Sequence, residues 1–169
     1  MANNKKFNVV SIVILAVLAV ALIMGIVGIC IDWMTMSMDV FGAKVSESTK
    51  LADMVKENKD LGGDLYKAID AVQAFGIITI ILAALTAVAY LVNKLVDIKI
   101  LKLVIIVLGA ALAVCALLTL ILTFVSTTSE ACKAAKDAGA KFMPAAGAWL
   151  LSIFGIVGGA AGVYGGLKG

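Results

Sequence analysis

The residues with the most chemical potential in this chain are three cysteines, Cys30, Cys115 and Cys132, and there is no histidine to activate any of them. Ser-His and Cys-His nucleophile pairs are therefore excluded. So are metal sites built on imidazole or on closely paired thiolates. All fourteen basic residues are lysine, so the bidentate phosphate clamps that arginine makes are missing too. Cys115 falls in the middle of a long apolar run and reads as a small apolar side chain. Cys30 and Cys132 fall toward one side of the chain's topology and form a possible disulfide, provided their α carbons come within about 7 Å. Asp32, Asp39, Asp53, Asp60, Asp64 and Asp70 crowd one stretch, but no twelve-residue calcium-loop pattern orders them, and they read as solvated surface charge. No catalytic constellation, cofactor or metal is expected, and the chain reads as a non-enzyme.

The elements that must position these residues are four apolar runs, at about 7–31, 69–91, 100–125 and 145–167. Each reaches the roughly 20 residues a helix needs to cross the hydrocarbon core. A backbone in lipid must satisfy its own hydrogen bonds, so each run is read as a transmembrane helix. With 63% hydrophobic residues and a mean hydropathy of +1.11, the composition exceeds that of soluble domains. The expected class is an all-α membrane protein: one domain over 1–169, a four-helix bundle with a small extracellular hairpin and a short helix between the first two spans. The first run is too long for a signal h-region and no Ala-x-Ala site follows it, so it reads as an uncleaved span. Its partner is the lipid bilayer. The net charge of +3 is dispersed and gives no case for nucleic acid.

Few polar groups enter the spans. Gln73 is the most polar, and Thr79, Thr86, Thr119 and Ser152 are small enough to bond their own backbone. Pumps and coupled transporters show costly ionisable groups in the membrane. None lies near a span midpoint here, which weighs against such functions.

Lysines set the expected orientation. The short segments 1–6, 93–99 and 168–169 carry Lys5, Lys6, Lys94, Lys99 and Lys168 against Asp97 alone. The segment 32–70 has five lysines against eight acids. The lysine-rich short segments place both termini in the cytoplasm, with loops 32–68 and 126–144 outside.

In the first outer loop, Trp33 ends the first span where an aromatic belt would place it. Met34, Met36 and Met38 then alternate with polar residues, which predicts a strand over 34–40. Phe41-Gly42-Ala43 can turn and Lys44–Glu47 can return as a second strand. A lone hairpin is marginal in water, so its methionine face must lie on the bundle, the bilayer or a partner. Trp33, Met34, Met36 and Met38 are thus possible outer-loop contacts. Ser48 or Thr49 can cap a short helix carrying Leu51, Met54, Val55 and Leu61 on one face. Gly62-Gly63 would end it and Asp64 would cap the second span.

The fourth span holds the most regular pattern. Ala148, Gly155, Gly162 and Gly169 are spaced by seven, as are Ser152, Gly159 and Gly166. Such small-residue seams let helix backbones approach closely in lipid. Shorter seams run through Ala21, Gly25 and Gly28, and through Gly109, Ala113 and Ala116. The neighbour is either another helix of the same bundle or a second subunit.

This layout resembles the claudin and peripheral-myelin-protein superfamily of four-span proteins. The likeness rests on a first span ending in Trp33, a long outer loop, the stretch Leu65-Tyr66-Lys67-Ala68-Ile69-Asp70-Ala71-Val72-Gln73-Ala74 opening the second span, and Gly147-Ala148-Trp149-Leu150 through Gly158–Tyr164 in the fourth. The resemblance implies lateral assembly and outer-face contacts. The loop departs from claudins in lacking both the Gly-Leu-Trp motif and the paired cysteines. It looks more like the short loops of small bacterial membrane proteins, and the exclusive use of lysine suggests an AT-rich bacterial genome. The expected function is a non-enzymatic membrane scaffold or assembly subunit that self-associates or binds another membrane protein through its helix seams and its outer loop. The alternative is a pore or transporter subunit whose path forms only in an oligomer.

The orientation has a direct check. A single cysteine replacing Lys56, with the native cysteines removed, should react with an impermeant reagent in intact cells. Labelling only after lysis reverses the topology.

Overall fold

The computed structural model describes residues 8–59, 63–96 and 98–168, and shows a four-helix bundle with a small sheet at one end. The order is α1 (Val9–Cys30), β1 (Asp32–Val40), β2 (Ala43–Lys50), α2 (Leu51–Lys59), α3 (Gly63–Val96), α4 (Lys99–Ser126), α5 (Glu130–Asp137), β3 (Lys141–Pro144) and α6 (Ala146–Lys168). Helices α1, α3, α4 and α6 are each long and apolar enough to cross a membrane, so this is a multi-pass membrane protein. Residues 8, 96, 99 and 168 mark the terminal end of the bundle. The sheet, α2 and α5 sit at the other, the loop end.

The spans follow the apolar runs closely, except that α3 extends to Gly63 and Val96, beyond the expected 69–91. The extension gains burial through Leu65, which packs against the cluster that holds Ile69 and, from α2, Leu51 and Met54. Leu61, Gly62 and Gly169 lie outside the described residues, as do Lys5, Lys6, Asp97 and the side chain of Asp64.

All four spans bury a heptad stripe. In α3 it is Ile69, Gly76, Ala83 and Tyr90, alternating with Val72, Thr79, Thr86 and Asn93. In α1 it is Ser11, Leu18 and Gly25 with Ile14, Ala21 and Gly28. In α4 it is Ile105, Leu112, Thr119 and Ser126 with Gly109, Ala116 and Thr123. A strict seven-residue repeat keeps one seam of a slightly underwound helix on its neighbours, the geometry of left-handed bundles.

Helix α6 touches the other three spans, and its small residues face them. A β carbon added at Gly159 would lie 2.6 Å from the carbonyl oxygen of Gly109 and 2.7 Å from the Ala113 methyl. One at Gly155 would lie 2.6 Å from the Ala116 methyl, and one at Gly162 would lie 2.7 Å from Thr86 Cγ2. Gly166 meets Ile106 at 2.5 Å in the same sense. On the α1 side, Gly158 faces Ala21 at 2.6 Å, and Gly147 meets the Gly28 carbonyl. Ala148 and Ser152 are fully buried in the same face. The seam is thus occupied by helices of its own chain. At such approach, backbone dispersion and Cα–H···O contacts replace side-chain interdigitation.

Buried polar groups are mostly settled locally. The hydroxyls of Thr79, Thr86, Thr119 and Thr123 donate to carbonyls four residues earlier, at 2.7–2.8 Å. Ser152 departs from the expected back-bonding: its Oγ is buried with no partner among the described residues.

Gly159→Leu should lower thermal stability in detergent by about 1–3 kcal/mol, the usual cost of overpacking. Val157→Leu, on the half-exposed lipid face of the same helix, should leave the unfolding temperature unchanged. Equal effects would mean that the seam is not the tight face.

Candidate interaction surface at the loop end

The hairpin forms as its alternation predicts, but it gains a third strand. The sheet order is β2-β1-β3, all antiparallel. Segment 141–144 lies in what the sequence predicts as the outer loop 126–144. It pairs Met34 with Pro144 and Ser37 with Lys141. Its Lys-Phe-Met-Pro sequence is too short for a periodicity signal. Pairing β1 on both edges removes the marginality of a lone hairpin. The amide of Ala145 donates to the carbonyl of Trp33 at 2.8 Å, tying the start of α6 to the end of α1.

The second strand also runs further than Glu47. It extends to Lys50 and passes straight into α2 at Leu51. Ser48 and Thr49 are therefore strand residues and not helix caps. The Ser48 hydroxyl pairs instead with that of Thr35 across the strands at 3.0 Å.

Trp33 is not an outward contact. It is 1% exposed, and its indole N–H donates to Thr123 Oγ1 on α4 at 3.3 Å. An irregularity in the β1–β2 register between Asp32 and Met34 allows Trp33 and Met34 to be buried in succession, where a regular strand would turn one outward. Both belong to a core with Leu51, Met54, Ile69, Val72, Ala148 and Leu151. The half-exposed aromatics at this end of the spans are instead Trp149 and Phe124, packed edge-to-face with 6.1 Å between ring centroids. The amphipathic ring of Trp149 suits the membrane boundary.

The methionine face grades from buried to open along β1. Met34 is buried, whereas Met36 and Met38 are half-buried. Met34 and Met36 line an open cleft of about 260 Å³ with Met54, Leu65, Cys132 and Phe142, among others. Beyond Met38 the same face continues outward. Val45, opposite Met38 in register, and Val40 are exposed. At the tip, Phe41 is fully exposed, with φ +54°, and is followed by Gly42 at φ +84°. Two successive positive φ values are the mark of a type I′ hairpin turn, which favours Asn or Gly. A phenylalanine there costs about 1–2 kcal/mol in backbone strain. The sequence foresaw the turn but not the exposure of its ring, because Phe41 read only as a turn residue.

The cysteines do not come together. Cys30 is exposed on the last turn of α1, Cys132 is buried on α5, and both thiols are free. Ser129 caps α5 by accepting from the Cys132 amide at 3.4 Å, which fixes Cys132 toward the methionine cleft. Among the described residues, no three His, Cys, Asp or Glu side chains converge as a metal site.

The gradient predicts unequal consequences of mutation. Met34→Ser should cost about 2–5 kcal/mol, as for truncation of a buried methionine. Met38→Ser should cost under about 1 kcal/mol. Chemical denaturation of the two variants checks this, and equal losses would mean that the whole face is core.

No family model matches the chain, and no curated protein is detectably similar to it.

Proposed function

We propose that this protein is a non-enzymatic membrane assembly subunit that binds a second membrane protein, or another copy of itself, through the open end of its hairpin. The observation that carries this reading is the exposed apolar group Val40, Phe41 and Val45 at the open end of the hairpin, with the aromatic held in a strained left-handed turn. Backbone strain at an exposed bulky residue is retained where a function repays it. A partner that buries Phe41 would gain the transfer energy of a full aromatic side chain. The glycine seam of α6 is already occupied inside the bundle, which removes that face as a contact and favours the hairpin. In the expected orientation this tip stands outside the cell, with both termini in the cytoplasm. The resemblance of the sequence layout to the claudin superfamily implies the same, lateral assembly with outer-face contacts.

The pore alternative has less support. The span threonines Thr79, Thr86, Thr119 and Thr123 are buried between the packed helices, so they line no surface open to water along which an ion could shed its hydration shell.

The test is assembly measured apart from folding. Phe41→Asn should raise thermal stability slightly, by relieving the left-handed strain, while reducing particle mass in mild detergent or cross-linking in native membranes. Unchanged assembly with raised stability would remove the hairpin tip from the interface. Reproducible single-channel currents from the purified protein in liposomes would overturn the scaffold reading and favour the pore.

A further inference from the structure

At the terminal end of the bundle, a cavity between α1 and α6 meets a second one that α3 also lines. One is an open groove of about 420 Å³ on the lipid-facing side, lined by Val10, Val13, Val17, Ala160, Ala161 and Tyr164 among others. Its walls are almost wholly apolar. The small side chains Ala160 and Ala161 leave a trough beside α1 where larger residues would fill the surface. The second is a polar cleft of about 310 Å³ at the mouth of this groove, sharing Val10, Ile14 and Tyr164 with it. Here the lining changes character. Asn8, Ser11, Tyr90, Lys94 and Lys168 contribute, and among the described residues no carboxylate lines either cavity.

The two lysines are held in place. The Lys94 ammonium lies over the Tyr90 ring at 5.4 Å from its centroid, and that of Lys168 over Tyr164 at 5.6 Å. Tyr90 is 1% exposed, so its ring is a fixed wall. Ser11, 6% exposed, adds a hydroxyl to the cleft. The first turn of α1 also opens here, beginning after Asn8. Its partial positive charge adds to that of the lysines, while the C-terminal ends of α3 and α6 bring partial negative charge to the same level that Lys94 and Lys168 offset.

We infer that the α1–α6 groove and its lysine-bearing mouth form a binding site for one anionic glycerophospholipid of the adjacent leaflet. An acyl chain lies along Val13, Val17, Ala160 and Ala161, and the phosphate sits between Lys94 and Lys168. The order of the lining is that of the molecule: apolar in the span, amphipathic at Tyr164, cationic at the helix ends. Basic pockets between transmembrane helices suit anionic headgroups, whereas a zwitterionic lipid gains little from the lysines. A soluble anion would use the cleft but not the groove. A second protein copy would use the groove but has no need of the charge.

The experiment uses the full chain in mild detergent, titrated with phosphatidylglycerol or phosphatidylcholine of the same acyl composition. Retained lipid is counted by native mass spectrometry, and thermal stability is followed in parallel. One phosphatidylglycerol should be retained about tenfold or more over phosphatidylcholine, with a matching rise in unfolding temperature. Lys94→Gln with Lys168→Gln should bring the two lipids to parity. Ala160→Leu, on an exposed position of α6, should lower retention of both. Parity in the unmutated protein, or a preference that survives loss of both lysines, overturns the proposal. So does an equal thermal shift from inorganic phosphate alone, or a dimer that phosphatidylglycerol fails to displace.

Discussion

The distance between α6 and its neighbours governs this structure. Where Gly159 passes Gly109, no side chain separates the two helices, and a methyl group would collide with a carbonyl oxygen. Within a bilayer there is no hydrophobic force to press helices together, because lipid tails are as apolar as leucine. Association must come from dispersion at close range, and close range requires that β carbons be absent. Helix α6 supplies this on several sides, with Gly158 toward α1, Gly159 and Gly166 toward α4, and Gly162 toward Thr86 of α3. Larger side chains collect at the two ends of the bundle. Trp33 and Leu151 fill the loop end, and Leu18, Tyr90 and Ile105 fill the terminal end.

The loop-end module depends on that closeness. The bond from the Ala145 amide to the Trp33 carbonyl exists because α1 and α6 arrive side by side. It sets β3 beside β1, and the sheet then covers Met34. The same pair of helices leaves a trough at its other end, where Ala160 and Ala161 face lipid in place of bulkier residues. Close packing at one level of a helix pair thus creates a shelf for the sheet and a groove for a lipid at two others.

The class of the fold was legible in the sequence because four apolar runs in a row have few other solutions. The seam of α6 was legible as a tight contact, since glycine in a helix is costly unless approach repays it. Which neighbour it met was not legible. In a membrane protein, buried and lipid-facing positions are both apolar, so periodicity in hydrophobicity fades. Only residue size marks the interior, and the stripes of α1, α3 and α4 mix Gly and Ala with Leu, Ile and Tyr. At the loop end, the alternation of Met34, Met36 and Met38 foretold the strand. The pairing of residues 141–144 with it depends on two segments about a hundred residues apart, which no local pattern records. Trp33 was misplaced at the surface because an aromatic residue at a span boundary has two homes, the interface and the core. Its choice was decided by Thr123, a partner distant in sequence.

The central claim is that the glycine seam closes within one chain and leaves assembly to other surfaces. Its most direct measurement is a cross-link in a protein otherwise free of cysteine, with cysteines replacing Ala113 and Gly159. The β carbons there begin at 2.7 Å, against about 3.8 Å in a disulfide, so the helices need part by only about an ångström. Mild oxidation should give a disulfide within a monomer-sized species, resolved by peptide mapping after proteolysis. Disulfide-linked dimers in its place would put the seam between subunits and contradict the account.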